Sequence, residues 1–141
     1  MRVRLRELLD GSGATVVVDG VNMQLGGRQL LTVLADGRVL LALPEDAFDA
    51  VVALMITGRL LVDALTERAR RRPMLGRPAE LRSHHSTTDV VPVKQVDGPL
   101  WHSTAVAASP RLSDLLDATA LALVSPASEP HALAELILLP Q

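Results

Sequence analysis

Apolar runs along the chain are interrupted at three points by an Asp-Gly dipeptide, and this pattern predicts three β-hairpins. Each dipeptide follows one apolar run and precedes another. Glycine tolerates positive φ, so Asp-Gly between two such runs favours a two-residue hairpin turn. The predicted turns are Asp19-Gly20, Asp36-Gly37 and Asp97-Gly98, and the predicted strand pairs are 14–18 with 21–25, 28–34 with 38–43, and 89–96 with 99–107.

The middle hairpin has apolar residues on both of its faces. A two-residue turn would place Leu34 opposite Val39 and Thr32 opposite Leu41. Both arms are nearly continuous apolar runs, which is typical of strands that are covered on two sides. Helices, a partner surface or a ligand must therefore cover each face.

The last hairpin carries most of the unusual side chains. A two-residue turn would place Lys94 opposite Trp101 and Val93 opposite His102. Pro92 has no backbone donor, so the first of these strands is predicted to lie at the edge of a sheet.

Helical spacing predicts two central helices. Pro44-Glu45-Asp46 is a helix start with acidic residues at the positive end of the helix dipole, and an apolar stripe follows it. Thr57-Gly58 is predicted to end or kink the first helix, and the second would run from Arg59 to about Arg72 before Pro73. The stripe consists of Phe48, Val51, Val52 and Met55.

Other segments are assigned from their spacing and composition. Residues 2–10 suit a short helix or an edge strand, and Arg111 to Val124 has leucines at helical spacing. Residues 73–88 are predicted to be a surface loop, because they are rich in proline, glycine and polar residues. Residues 131–139 could form a helix or a strand.

These elements predict a single domain over residues 1–141, in the α+β class. We expect an antiparallel sheet of about three hairpins, with two to four helices packed mainly on one face. A length of 141 residues is enough to bury one sizeable core. A second independent core is not expected.

Composition narrows the classes of function. There is no cysteine, which excludes disulfides and thiolate chemistry, and the net charge of −2 gives no global attraction to nucleic acid or anionic membranes. No apolar run is long enough to span a bilayer, so we expect a cytoplasmic protein. No cofactor, membrane or nucleic-acid partner is expected.

Val16-Val-Val-Asp19-Gly-Val-Asn22 resembles the opening of metal-dependent nucleases of the NYN or PIN type. The resemblance covers about seven residues and implies that Asp19 would hold a divalent cation at the end of a parallel strand. That family continues with a helix and further acids at strand ends, whereas Gly26-Gly27 and another hairpin follow here. A hairpin turn is therefore the interpretation that we favour.

One group of residues has the chemistry of a metal site. His84 and His85 precede Asp89 at the start of a strand whose partner carries His102. Adjacent residues of an extended chain point to opposite faces, so both histidines could face one ion only if the loop bends. A solvated polar loop is the preferred interpretation, and no bound metal is expected.

The basic residues cluster at the C-terminal end of the second predicted helix. Such a cluster could bind a phosphate, an RNA backbone or an acidic partner, although no aromatic residue nearby offers a stacking surface. Cations near a helix C-terminus also stabilise the helix by themselves. The candidate anion-binding residues are Arg68, Arg70, Arg71 and Arg72, with Arg77 and Arg82 beyond them.

A ligand pocket is the other candidate site. Trp101, His102 and Arg82 are its predicted ligand-binding residues, and Lys94 and His102 are the only catalytic candidates. Asp97-Gly-Pro-Leu-Trp101 and Pro130-His-Ala-Leu-Ala-Glu135 resemble short segments of chorismate-lyase-like and UTRA ligand domains. The resemblance spans a few residues and implies a small apolar or anionic ligand.

Three functions follow from these observations. The first is a non-catalytic interaction or assembly module, forming a homo-oligomer or binding a protein partner, because catalytic motifs are missing and aliphatic surface is in excess. The second is a small-molecule-binding protein or enzyme with an aliphatic pocket. The third is an RNA- or phosphate-binding protein that uses the arginine cluster.

Overall fold

The structure is a computed structural model that describes residues 2–69, 71–79, 86–107, 109–126, 129 and 132–140. It confirms the α+β class and divides the strands between a small sheet and a barrel. The helices are α1 (Arg2–Gly11), α2 (Ala47–Ala53) and α3 (Arg59–Leu65), with a π-helical turn at Leu54–Gly58 and a 3₁₀ turn at Leu112–Leu115. The strands are β1 (Thr15–Asp19), β2 (Leu30–Val33), β3 (Val39–Ala42), β4 (Met74–Pro78), β5 (Asp89–Gln95), β6 (Leu100–Ser103), β7 (Ala120–Val124) and β8 (Ala134–Leu138).

The first sheet has the order β1-β2-β3 and is antiparallel throughout. The predicted middle hairpin is present as β2 and β3, but Thr32 pairs with Leu40 and Val33 pairs with Val39. The register moves by one residue because the loop has three residues, closed by the Leu34 N–H donating to the Arg38 carbonyl over 2.8 Å. Gly37 at φ 84° supplies the left-handed residue that this kind of loop requires.

The first predicted hairpin does not form. β1 pairs with β2 instead of with 21–25. Residues 21–25 leave the sheet: Met23 bridges Thr88, and the Gln24 N–H donates to the Thr88 carbonyl over 2.9 Å. Asp19-Gly20 is therefore the point at which the chain leaves the sheet toward the barrel, and the single three-hairpin sheet is replaced by two separate sheets.

The second unit is a closed barrel with the order β4-β6-β5-β7-β8. All its neighbouring strands are antiparallel except β4 and β6, which are parallel. β4 lies inside residues 73–88, which the composition predicted to be a loop. The predicted edge position of β5 is wrong, because β5 pairs with β6 on one side and with β7 on the other. Pro92 is tolerated there because it lies just beyond the end of β6, where its carbonyl accepts from Thr104 N–H and no backbone donor is needed.

One indole fills the barrel. Trp101 is buried against small residues, and Gly76 on β4 has no side chain at the point where the indole lies. Its other neighbours in the interior are Val93, Ala120, Ala122, Ala134 and Leu136. A closed barrel of few strands has a narrow interior, so one large side chain surrounded by alanine and glycine packs it.

α2, the π-helical turn and α3 form one continuous helix. Asp46 caps its start, because its side chain accepts the N–H groups of Phe48 and Asp49. The backbone stays right-handed helical through Gly58 at φ −61°, so the predicted break at Thr57-Gly58 does not occur. The helix ends at Leu65 rather than near Arg72, which keeps it about 28 Å long and within the span of the domain.

This helix lies against the outer face of the barrel. Phe48 and Val52 are buried together with Val90 and Leu121, and β8 adds Ile137. On another side of the helix, Leu41 of β3 approaches Gly58. The barrel, the helix and the small sheet therefore share one continuous packing arrangement.

The C-terminal third is mostly strand. The predicted helix from Arg111 to Val124 is wrong, since it contains only a 3₁₀ turn followed by β7. β7 sends its alanines into the barrel and Leu121 outward to the helix, so both faces are buried and no polar alternation marks it. For residues 131–139 the sequence allowed a helix or a strand, and the structure has a strand there, β8. None of the described helices has the length and apolarity needed to cross a membrane.

Candidate functional site

An open groove runs between the long helix and the end of β8, and we call it the arginine groove. Its volume is about 460 Å³, which lies within the range of small-molecule sites. Three arginines and Asp63 stand among aliphatic side chains. The lining residues are Leu54, Met55, Gly58, Arg59, Val62, Asp63, Arg68, Arg71, Leu138, Leu139 and Pro140.

The end of α3 places Arg68 beside this groove. Glu67 has φ 53°, the left-handed conformation that a helix-ending residue adopts when the chain reverses. Two hydrogen bonds close this turn, from Arg68 N–H to the Asp63 carbonyl over 2.9 Å and from Glu67 N–H to the Ala64 carbonyl over 3.3 Å. They form a Schellman motif, which turns the chain back over the last turn of the helix.

Of the four predicted anion-binding residues, Arg68 and Arg71 both line the groove. Arg72 is exposed and does not line it, and Arg70 lies outside the described residues. The sequence did not single out Arg59. Apolar residues near Arg59 at helical spacing could have pointed to it, and the structure shows three of them, Leu54, Val62 and Leu65, to be about half exposed or more.

A second cavity of about 320 Å³ lies where the small sheet meets the start of α2. Glu45, Asp46 and Asp49 line it together with Arg28, and Leu5 of α1 adds an apolar wall. Burial raises the pKa of Asp49 above its ordinary value of 3.8; the Gly26 N–H that it accepts and the Arg28 charge lower it, and the Asp46 charge raises it. We call this cavity the acidic cleft.

The barrel wall separates Trp101 from the two catalytic candidates, Lys94 and His102, which lie opposite each other on its outer face. β5 and β6 do form the last hairpin, but Lys94 pairs with His102 and Gln95 pairs with Trp101, one residue away from the predicted register. Successive residues of a strand point to opposite faces, so Trp101 lies inside the barrel while His102 is exposed on the outside. Arg82, the third predicted ligand-binding residue, lies outside the described residues.

The predicted metal candidates are divided in the same way. Asp89 begins β5 opposite Val124, and His84 and His85 lie outside the described residues. Asp19, which the nuclease resemblance implied as a ligand, ends an antiparallel strand and forms an ion pair with Arg6 at 2.6 Å. Within the described part of the chain, no three His, Asp or Glu side chains are grouped so that they could hold a metal ion.

The outer edge of β3 is a third feature of interest. Among the strands that the structure describes, β3 pairs only with β2. Leu34 and Arg38 form the hydrogen-bonded pair next to the turn, and the alternation of an antiparallel ladder therefore directs the N–H and C=O groups of Val39 and Leu41 outward. β1, at the opposite edge, has an irregular register between Val16 and Val18 and an ion pair at Asp19, whereas β3 contains neither a charge nor a proline.

The fold thus defines a class of architecture, a small antiparallel sheet joined by one long helix to a closed five-stranded mixed barrel. No protein-family model matches the chain. No curated protein matches its sequence either.

Solved structures do match the fold. A crystal structure of the molybdopterin biosynthesis MoeA protein from Pyrococcus horikoshii superposes with a TM-score of 0.68 and 19% identity, covering 94% of this chain and 34% of that chain. A structure of MoeA from Pyrococcus horikoshii OT3 gives a TM-score of 0.68 and 10% identity, covering 89% and 33%. The chain therefore spans about one third of the length of these proteins, and the likeness is one of fold.

Proposed function

We propose that this chain is a non-catalytic interaction and assembly module that associates with a second copy of itself through β3. The observation that supports this is the undefended edge of that strand. Val39 and Leu41 present unpaired backbone groups outward, and the side chains of β3 are apolar and only partly buried. Natural proteins ordinarily guard such an edge with a charge, a proline or a bulge.

A two-fold axis at Leu40 gives the pairing that uses these groups best. Val39 then faces Leu41 of the partner subunit, and Leu41 faces Val39 of the partner subunit. Each of these pairs exchanges two backbone hydrogen bonds, because both residues direct their backbone groups outward. The two small sheets become one continuous sheet of twice the width, whose β3 strands are then paired on both sides.

The likeness to MoeA is compatible with an assembly role, because there the same architecture is one third of a longer chain. Molybdopterin biosynthesis is the function named for that longer protein. The proposal here takes nothing from that activity, since identities of 19% and 10% show a likeness of fold alone. It rests on the β3 edge alone.

The test is solution mass by light scattering over a hundredfold concentration range, at low and at high salt. We expect a dimer whose mass is indifferent to salt, because the pairing uses backbone groups and apolar side chains. A monomer at every concentration, or a mass that falls steeply with salt, overturns the proposal.

A matched pair of variants locates the interface. Val39→Pro removes an outward donor without touching the ladder to β2, and proline is tolerated at the first residue of an edge strand. Val39→Thr keeps both the donor and the β-branched shape. We expect a monomer for Val39→Pro and a dimer for Val39→Thr, with the same circular dichroism spectrum for both. A dimeric Val39→Pro would show that the copies associate elsewhere.

A second candidate function is small-molecule binding. The arginine groove favours it, because aliphatic walls and convergent cations are features of a ligand site. This candidate is independent of the β3 edge.

A further inference from the structure

We infer that the arginine groove binds one aliphatic anion, a molecule with an unbranched hydrocarbon tail and a single carboxylate or phosphate head. The groove combines two kinds of surface that such a molecule needs. One is a run of half-exposed aliphatic side chains, and the other is a set of guanidinium groups. This inference does not rest on self-association.

The aliphatic part of the groove comes from two elements. Leu54 and Val62 lie on one side of the long helix, about 51% and 52% exposed, and Leu138 of β8 faces them at 48% exposed. Gly58 lies between Leu54 and Val62 along the helix, and the space beside its α-carbon is taken up by the Leu54 side chain. A tail laid along these residues removes apolar surface from water on both sides, which favours binding.

The charged part of the groove comes from three separate positions. Arg59 begins α3, Arg68 follows the Schellman turn, and Arg71 lies before β4. Asp63 is the only acid among the described lining residues, so these residues carry a formal charge of three minus one, or +2. Guanidinium groups bind carboxylate and phosphate heads with paired hydrogen bonds, which a neutral head cannot form in the same way.

The turn at Glu67 fixes the backbone position of Arg68 at the groove. A non-glycine residue in the left-handed region carries a steric cost, and Glu67 adopts this conformation at φ 53°. The result is that Arg68 N–H bonds back to Asp63 of the same groove. The hydrogen bonds of this turn reverse the chain and place Arg68 beside the apolar wall.

The groove size limits the ligand to a single small molecule. A volume of about 460 Å³ is in the lower half of the range for small-molecule sites. The open side of the groove allows the end of a tail to extend into solvent. A medium-length tail therefore fits better than a bulky ring system, and decanoate is a suitable probe.

The experiment is titration calorimetry on the full chain with decanoate, below its micelle concentration. Decyl phosphate tests the other head group, while decanol and inorganic phosphate test tail and head alone. We expect decanoate and decyl phosphate to bind one molecule per chain, and decanol and inorganic phosphate to bind at least about tenfold more weakly. Equal binding of decanoate and decanol, or no binding of either anion, overturns the inference.

Arginine variants distinguish binding in the arginine groove from attraction of the anion to the general surface charge. The double variant Arg68→Gln with Arg71→Gln removes two lining cations, and Arg72→Gln removes a neighbouring exposed cation outside the groove. We expect the double variant to lose about tenfold or more in affinity and Arg72→Gln to keep it. Because the double variant removes two charges and Arg72→Gln removes one, a loss in Arg72→Gln of half the logarithmic size of the double variant's loss would show that only the overall charge matters.

A second readout keeps the test independent of those variants. In methyl spectra of the wild-type chain, decanoate is expected to shift the signals of Val62 and Leu138. The signals of Val106 and Leu116, which are exposed and absent from the groove lining, should stay unchanged. Shifts spread evenly over both pairs would mean nonspecific adsorption and would overturn the inference.

Discussion

Gly76 and Trp101 lie so close together inside the barrel that a β-carbon on Gly76 would be 2.6 Å from the indole nitrogen. The same β-carbon would also collide with Leu136. Both residues belong to strands that run side by side, since β4 is parallel to β6. The indole can occupy the barrel only because β4 has a glycine at this position.

Gly76→Ala is therefore expected to destabilise the chain by about 2 to 3 kcal/mol, because the buried indole cannot move away without opening the barrel. Denaturant unfolding followed by tryptophan fluorescence measures this directly, since Trp101 is the only tryptophan. Gly11→Ala is the matched control, because a β-carbon there meets no atom within 4 Å. Equal stability of the two variants would contradict this packing.

Asp49→Asn is expected to stabilise the chain at neutral pH. Burial raises the pKa of Asp49 above 3.8, so folding favours the protonated carboxyl. The stabilising contribution is complete below the unfolded pKa and is lost as the pH rises through the raised folded pKa. The amide cannot ionise, and therefore avoids that loss while it still offers an oxygen to the Gly26 N–H.

The measurement is the free energy of unfolding of wild type and Asp49→Asn from pH 3 to pH 7. The advantage of the variant should shrink as the pH falls and vanish near the acid end. Glu7→Gln, an exposed charge change on α1, is the control. A stability advantage that does not depend on pH would show that burial of the charge is not its cause.

Thr32→Val is expected to raise stability by about 1 kcal/mol. The Thr32 hydroxyl is fully buried and has no hydrogen-bond partner among the described residues, so folding removes its hydration without compensation. Thr104→Val is the matched opposite, because the Thr104 hydroxyl donates to the Asp114 carbonyl over 2.8 Å. Urea unfolding of both variants should give changes of opposite sign; a loss in both would indicate that Thr32 has a partner.

Glu67→Gly is expected to stabilise the chain by about 0.5 to 1 kcal/mol. Glycine adopts positive φ without the steric cost that Glu67 carries at φ 53°. Glu67→Ala is the control, because it removes the carboxylate but keeps the β-carbon that causes the strain. If thermal unfolding shows the same gain for alanine as for glycine, the effect comes from charge and not from backbone conformation.

The register of two hairpins shows where turn chemistry alone is insufficient. Asp36-Gly37 and Asp97-Gly98 both connect antiparallel neighbours, as the dipeptides predict. In both, the pairing differs by one residue from that of a two-residue turn. The shift changes the cross-strand partners, so that Lys94 lies opposite His102 instead of Trp101. Trp101 and His102 are separated by the barrel wall for another reason, because successive residues of a strand point to opposite faces.

The candidate site was predictable only in part. The arginine cluster was visible in the sequence, and Arg68 and Arg71 do line a groove. Its other wall was not visible, because Leu138 belongs to a segment that local pattern left open between helix and strand. Nothing in the local sequence places β8 beside α3.

Local sequence by itself determined the features that depend on a few neighbouring residues. These are the α+β class, the helix start at Asp46 and the turns at Gly37 and Gly98. Capping and turn formation depend on short-range interactions, so a few consecutive residues are enough to predict them. The apolar residues also showed that the chain forms a buried core.

Only the tertiary structure decided how the strands divide and which residues meet. β7 has a helix-favouring composition of alanine and leucine, yet it is a barrel strand, because both of its faces are buried by partners distant in sequence. The closure of β4 against both β6 and β8 is likewise a long-range pairing. The free energy of such contacts comes from packing between segments that are remote in sequence. A short stretch of consecutive residues therefore cannot predict them.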